Sequence, residues 1–129
     1  MRKGSGVEFA KVVFWIAAVW GFVVLTPLFF IFDKIGIQDP PAITHPGFYY
    51  GFVTLGLAWQ VAFVVIARDP GRLRPMMIPA VIEKFGYAIA VVVLYLQALM
   101  KAPDLVFAGT DGLLGVLFVV AYIKTQNLA

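Results

Sequence analysis

The sequence predicts an all-α integral membrane protein, a four-transmembrane-helix bundle running up-down-up-down with both termini cytoplasmic. Three observations carry that expectation: the composition, the length of the uncharged runs, and the placement of lysine and arginine. Of the 129 residues, 62% are hydrophobic and 13% charged, well above the roughly 45 to 50% apolar content of soluble domains. The mean hydropathy of +0.93 agrees. A soluble core cannot hide so much apolar surface.

Crossing a hydrocarbon layer about 30 Å thick at a rise of about 1.5 Å per residue takes roughly 20 apolar residues. Val12 to Phe32 and Phe48 to Ala67 carry no charge, and Leu105 to Ile123 carries only Asp111. Phe85 to Met100 is too short to cross alone, so the third helix is expected to extend back through Lys84 and Glu83. Helices are therefore expected at about 9–32, 48–67, 76–100 and 105–123, forming one membrane domain over residues 1–129. Unpaired backbone amides cost several kcal/mol in lipid, which leaves helices or closed barrels, and these runs are too continuous for barrel strands. The first run exceeds the apolar region of a secretory signal and lacks an A-x-A site, so it is read as a retained helix.

Direction follows from the positive-inside rule. Arg2, Lys3, Lys11, Arg68, Arg72, Arg74, Lys84 and Lys124 fall on one side, and only Lys34 and Lys101 on the other. The basic side is the cytoplasmic one. Short connections make successive helices antiparallel. The chain is read as a multi-pass protein of the cell inner membrane.

The outer connection, DKIGIQDPPAITHPG, holds the adjacent prolines Pro40 and Pro41, which favour an extended polyproline course, and the sole histidine, His45. One histidine per chain makes no His-rich metal or haem site, so His45 reads as a loop residue, and no metal or cofactor is expected. The inner connection RDPGRLRP forms a turn at Asp69-Pro70-Gly71-Arg72, with glycine able to adopt positive φ. Around it Arg68, Arg72 and Arg74 stand at the level of lipid headgroups, where each basic residue adds about 1 kcal/mol of attraction to an anionic leaflet. Docking of an acidic cytoplasmic partner is the other use of that surface.

Deep polar residues are functional candidates by default. Adjacent helical residues diverge by about 100°, so Glu83 and Lys84 are not expected to share a face. Lysine has the stem to snorkel to the headgroups while glutamate does not. Glu83 is therefore placed inward and Lys84 joins the headgroup-binding arginines. Trp59, Gln60, Glu83 and Tyr87 are expected to form a buried polar cluster, with Gly86 and Ala90 allowing close helix approach beside it. Asp111, in FAGTDGLLG, is expected nearer the outer face, within reach of Asp33 and Gln97. Alternatively, residues 104–110 are loop and Asp111 begins the last helix, where its charge suits the dipole.

Cysteine is absent, which rules out disulfides, thiolate nucleophiles and cysteine-ligated metals. With one histidine and no serine in any long span, few routes remain to a nucleophile and base, so no enzyme activity is expected. The net charge of +3 serves topology and lipid contact, not nucleic acid. The function expected is a noncatalytic accessory or structural bundle, or one that binds lipid or another ligand. Its partners are membrane lipids, with a larger membrane complex or a second copy of the chain as candidates. The alternative is a small oligomeric proton- or ion-coupled transporter or channel using Glu83 and Asp111.

Overall fold

Four long apolar helices account for most of the structure, a computed structural model that describes residues 3–126. Helix α1 spans Lys3–Leu25, α2 Phe32–Gln38, α3 Pro46–Arg68, α4 Met77–Leu96 and α5 Asp104–Lys124. With their flanking 3-10 turns, α1, α3, α4 and α5 are each long and apolar enough to cross a membrane. The chain is thus a multi-pass membrane protein. Of the basic residues that set its expected direction, Arg2 lies outside the described residues.

Helix ends follow local chemistry. Pro27 disfavours α geometry at Thr26, so α1 ends at Leu25 and continues as a 3-10 turn over Thr26–Phe29 instead of running to residue 32. The short helix α2, not expected from the sequence, then carries the chain along the outer end. Pro46 opens α3 at a first-turn position, where its missing N–H costs nothing. At the same end of the bundle, α4 stops at Leu96 instead of continuing to residue 100. Ala98 takes a left-handed φ of 61°, and Leu99 N–H donates to Leu94 O (2.9 Å) while Ala98 N–H donates to Tyr95 O (3.0 Å). That pattern is a Schellman cap with alanine where glycine is usual. Asp104 begins α5, which puts Asp111 inside the last span and removes the reading in which Asp111 starts it.

Order in space differs from order in sequence. The main interfaces join α1 to α3, α1 to α5 and α4 to α5, whereas α3 and α4 scarcely meet although they are consecutive. The four helices therefore form an arc, α3–α1–α5–α4, with a seam between its ends. Close approach along the arc depends on glycines. A Cβ at Gly21 would fall on the Gln60 side chain, one at Gly56 would lie 2.6 Å from Leu25 Cδ1, and one at Gly115 would lie 2.9 Å from Phe85. Gly86 and Ala90, expected at an interface, face outward instead.

Toward the end where α1 begins and α5 ends, Phe14 of α1 stacks on Phe118 of α5 at 4.2 Å between ring centroids, and Phe63 of α3 meets Phe118 edge-on at 5.1 Å. These rings and the alanines Ala10, Ala17, Ala67, Ala80 and Ala121 form the core. At the opposite end Phe29, Phe32, Tyr49 and Tyr50 form an aromatic group, and the Tyr49 hydroxyl donates to Leu28 O at 2.6 Å. This placement suits the membrane interface. The Pro40–Pro41 peptide in the outer connection is cis, in place of the extended polyproline course. Large apolar side chains such as Val23, Leu55, Ile82 and Val106 are exposed on the outside of every long helix, as acyl contact requires.

A charged cavity halfway through the bundle

Each of the four long helices contributes to one partly open cavity of about 300 Å³. From α1 come Trp20, Gly21, Val24 and Leu25, and from α3 Phe52, Leu55, Gly56, Trp59 and Gln60. Glu83, Lys84 and Tyr87 of α4 and Phe107 and Asp111 of α5 complete it. Most of the wall is aromatic or aliphatic, and the charge is confined to three residues. Phe52, Leu55 and Phe107 are also exposed on the outer surface of the bundle, so the cavity borders the acyl phase beside the α3–α4 seam. There Phe52 and Tyr87 stack across the seam at 6.4 Å.

Lys84 is the inward residue, which corrects the expectation that it snorkels to the headgroups. Its side chain is only 3% exposed. The Nζ donates to Asp111 Oδ1 at 3.3 Å and lies 3.7 Å from Glu83 Oε2, an ion pair beyond hydrogen-bond contact. It also sits 5.2 Å from the centroid of Phe63. The buried side of α4 reads Met77, Ala80, Lys84, Ala88 and Val91, a stripe at helical spacing with Lys84 at its centre. Small residues on both sides allow α5 to come close, and α5 presents Asp111 on its own stripe with Ala108 and Gly115. Both acids converge on one ammonium instead of standing near opposite faces. Lys84 lies ten residues above Arg74, ~15 Å along the axis, which is about half the hydrocarbon thickness.

The expected polar cluster is partly assembled. Trp59, Gln60, Glu83 and Tyr87 line the same cavity, yet no hydrogen bond links Gln60 or Tyr87 to Glu83 among the described residues. Gln60, 2% exposed, donates through Nε2 to Gly56 O at 2.8 Å, and its Oε1 has no donor. Glu83 Oε2 likewise accepts no hydrogen bond. Asp33 and Gln97 do not join Asp111: both are exposed, Asp33 on α2 and Gln97 at the end of α4.

The three arginines differ in their ties. Arg74 donates to Tyr122 O at 2.9 Å and lies 3.6 Å over the Tyr122 ring, fastening the inner connection to the end of α5. Arg72 pairs with Asp69 at 3.0 Å through an exposed contact. Arg68 has no polar partner among the described residues. Together with Lys11, Pro75 and Gln126, the arginines surround a hollow of about 660 Å³ at the end of the bundle where α1 begins and α5 ends. No glycine among the described residues has positive φ, so the Asp69–Arg72 turn does not use that freedom. His45 is exposed at the start of α3, its ring edge-on to Phe48 at 5.5 Å.

Lys84 was the residue that sequence reasoning misplaced. The signal that marks its orientation is the Ala80–Lys84–Ala88 spacing, since small residues four positions either side of a charge mark the packed face of a helix. No family model, curated protein or solved structure matches the chain.

Proposed function

We propose that the chain is a non-enzymatic binding bundle of the inner membrane, which takes a small molecule with an apolar body from the bilayer into the cavity shared by its four long helices. The observation that carries this reading is the cavity itself: about 300 Å³, walled mainly by aromatic and aliphatic side chains, with a few convergent polar groups at mid-depth. Exposure of Phe52, Leu55 and Phe107 supports entry from the acyl phase. The absence of serine, histidine and cysteine from the wall supports binding over chemistry. Membrane lipids are the surrounding partners, and an accessory role in a larger membrane complex is compatible with the same site.

Native mass spectrometry of the protein released from lipid nanodiscs tests this. A retained small molecule is expected on the parent chain, and Val24→Phe, which fills the cavity, is expected to displace it. Equal retention by both, or no adduct besides bulk bilayer lipid, contradicts the reading.

One observation favours a second reading, coupled transport. Glu83, Lys84 and Asp111 form a contiguous charged group near mid-membrane, where a proton or cation site of a transporter belongs. On that reading Glu83→Gln abolishes flux in liposomes while the bundle stays folded. Unchanged flux, or none from the parent protein, removes it.

A further inference from the structure

We infer that the cavity selects an organic ammonium, a primary or secondary amine on an apolar aromatic or alkyl body, over neutral and anionic molecules of the same shape. This rests on the binding role proposed above and adds the ligand's charge and head group.

Charge balance is the first support. Two carboxylates and one ammonium face the cavity, so Glu83, Lys84 and Asp111 together hold one acid in excess of base at mid-membrane. No other charged side chain lines the wall. Uncompensated charge is costly at that depth, so the excess acid is balanced by a proton, and a ligand cation can take that proton's place.

The second support is the sign of the unused hydrogen-bonding capacity. Among the described residues, both buried side-chain atoms without a hydrogen-bond partner are oxygens that can accept, Glu83 Oε2 and Gln60 Oε1. The amide orientation of Gln60 is set by its Nε2 donating to Gly56 O, which leaves the carbonyl oxygen as the free group. An acceptor is satisfied only by a donor, and an ammonium has several. Lys84 Nζ pairs with Glu83 Oε2 at 3.7 Å, outside hydrogen-bond distance, so that oxygen keeps room for a donor.

Wall chemistry is the third support. Trp20, Trp59, Phe52 and Phe107 place aromatic rings in the wall, a side-chain type that attracts cations as well as apolar bodies. A bare metal ion is a poorer fit, since no group of three or more His, Cys, Asp or Glu side chains capable of holding one occurs among the described residues.

The test compares three molecules with one phenylbutyl body: 4-phenylbutylamine, 4-phenylbutan-1-ol and 4-phenylbutanoate. Each is equilibrated with the protein in nanodiscs of zwitterionic lipid, and binding is taken as the excess over empty nanodiscs. The amine is expected to bind about tenfold tighter than the alcohol, a typical gain for one charge-assisted contact, and the carboxylate weakest. Glu83→Gln, checked for helicity and monodispersity, is expected to level the amine with the alcohol, and Asp111→Asn gives a second, independent reduction of that preference. Equal binding of amine and alcohol by the parent chain, or preference for the carboxylate, overturns the inference while leaving the cavity reading standing. If none of the three binds in excess, both fall together.

Discussion

An ammonium halfway through a hydrocarbon layer is tolerated only with counter-charge in reach, and Lys84 has it from Asp111 at 3.3 Å and Glu83 at 3.7 Å. Removing one partner of a buried pair costs more than removing both, because the survivor is left uncompensated. Lys84→Met is therefore expected to destabilise the bundle by about 3 to 5 kcal/mol in a denaturant titration. Adding Asp111→Asn to that variant is expected to recover part of the loss, and strictly additive effects would sink the pairing. Asp111→Asn alone is expected to cost more than Glu83→Gln, since only Asp111 holds a hydrogen bond from Lys84. At this scale the sequence is legible for depth but not for partners. The position of Lys84 among apolar residues places it in the membrane, whereas its contact with Asp111 depends on the register of α4 against α5, two helices whose pairing no local pattern states.

Helices are where the sequence is most readable, because run length and proline placement act locally. Pro46 marks the start of α3, and the uncharged run after it continues to Ala67, one residue short of the helix end at Arg68. The end of α4 was not legible: an alanine carries the left-handed cap position, where composition gives no stop signal. Ala98→Gly is expected to raise stability by about 1 kcal/mol by relieving that φ, measurable as a higher melting temperature, whereas Ala98→Val lowers it. Close packing of α4 on α5 is equally specific. A Cβ at Gly115 would already crowd Phe85, so Gly115→Val is expected to cost about 1 to 3 kcal/mol and to loosen the contact that delivers Asp111 to Lys84. The fifth helix, α2, escaped notice because at seven residues it is too short to show a period.

For the molecule as a whole, four crossings and a basic inner end were readable because hydropathy and charge are additive along the chain. The arc α3–α1–α5–α4, and the cavity it encloses, were not, since they arise from which helices meet, not from what each contains. Direction is checked simply in a protein with no cysteine of its own. Arg68→Cys is expected to react with an impermeant maleimide only from the cytoplasmic side and Gln97→Cys only from the other; labelling of both from one side contradicts the topology. The arrangement on which the expected stability effects rest is the ammonium of α4 held by the carboxylate of α5 inside the membrane. Solid-state NMR on nanodiscs carrying ¹⁵N-lysine and ¹³C-aspartate measures that contact directly. A dipolar coupling between Lys84 Nζ and Asp111 Cγ that vanishes in Lys84→Arg is the expected result, and a Lys84 ammonium uncoupled from any aspartate and exchanging freely with bulk water would contradict it.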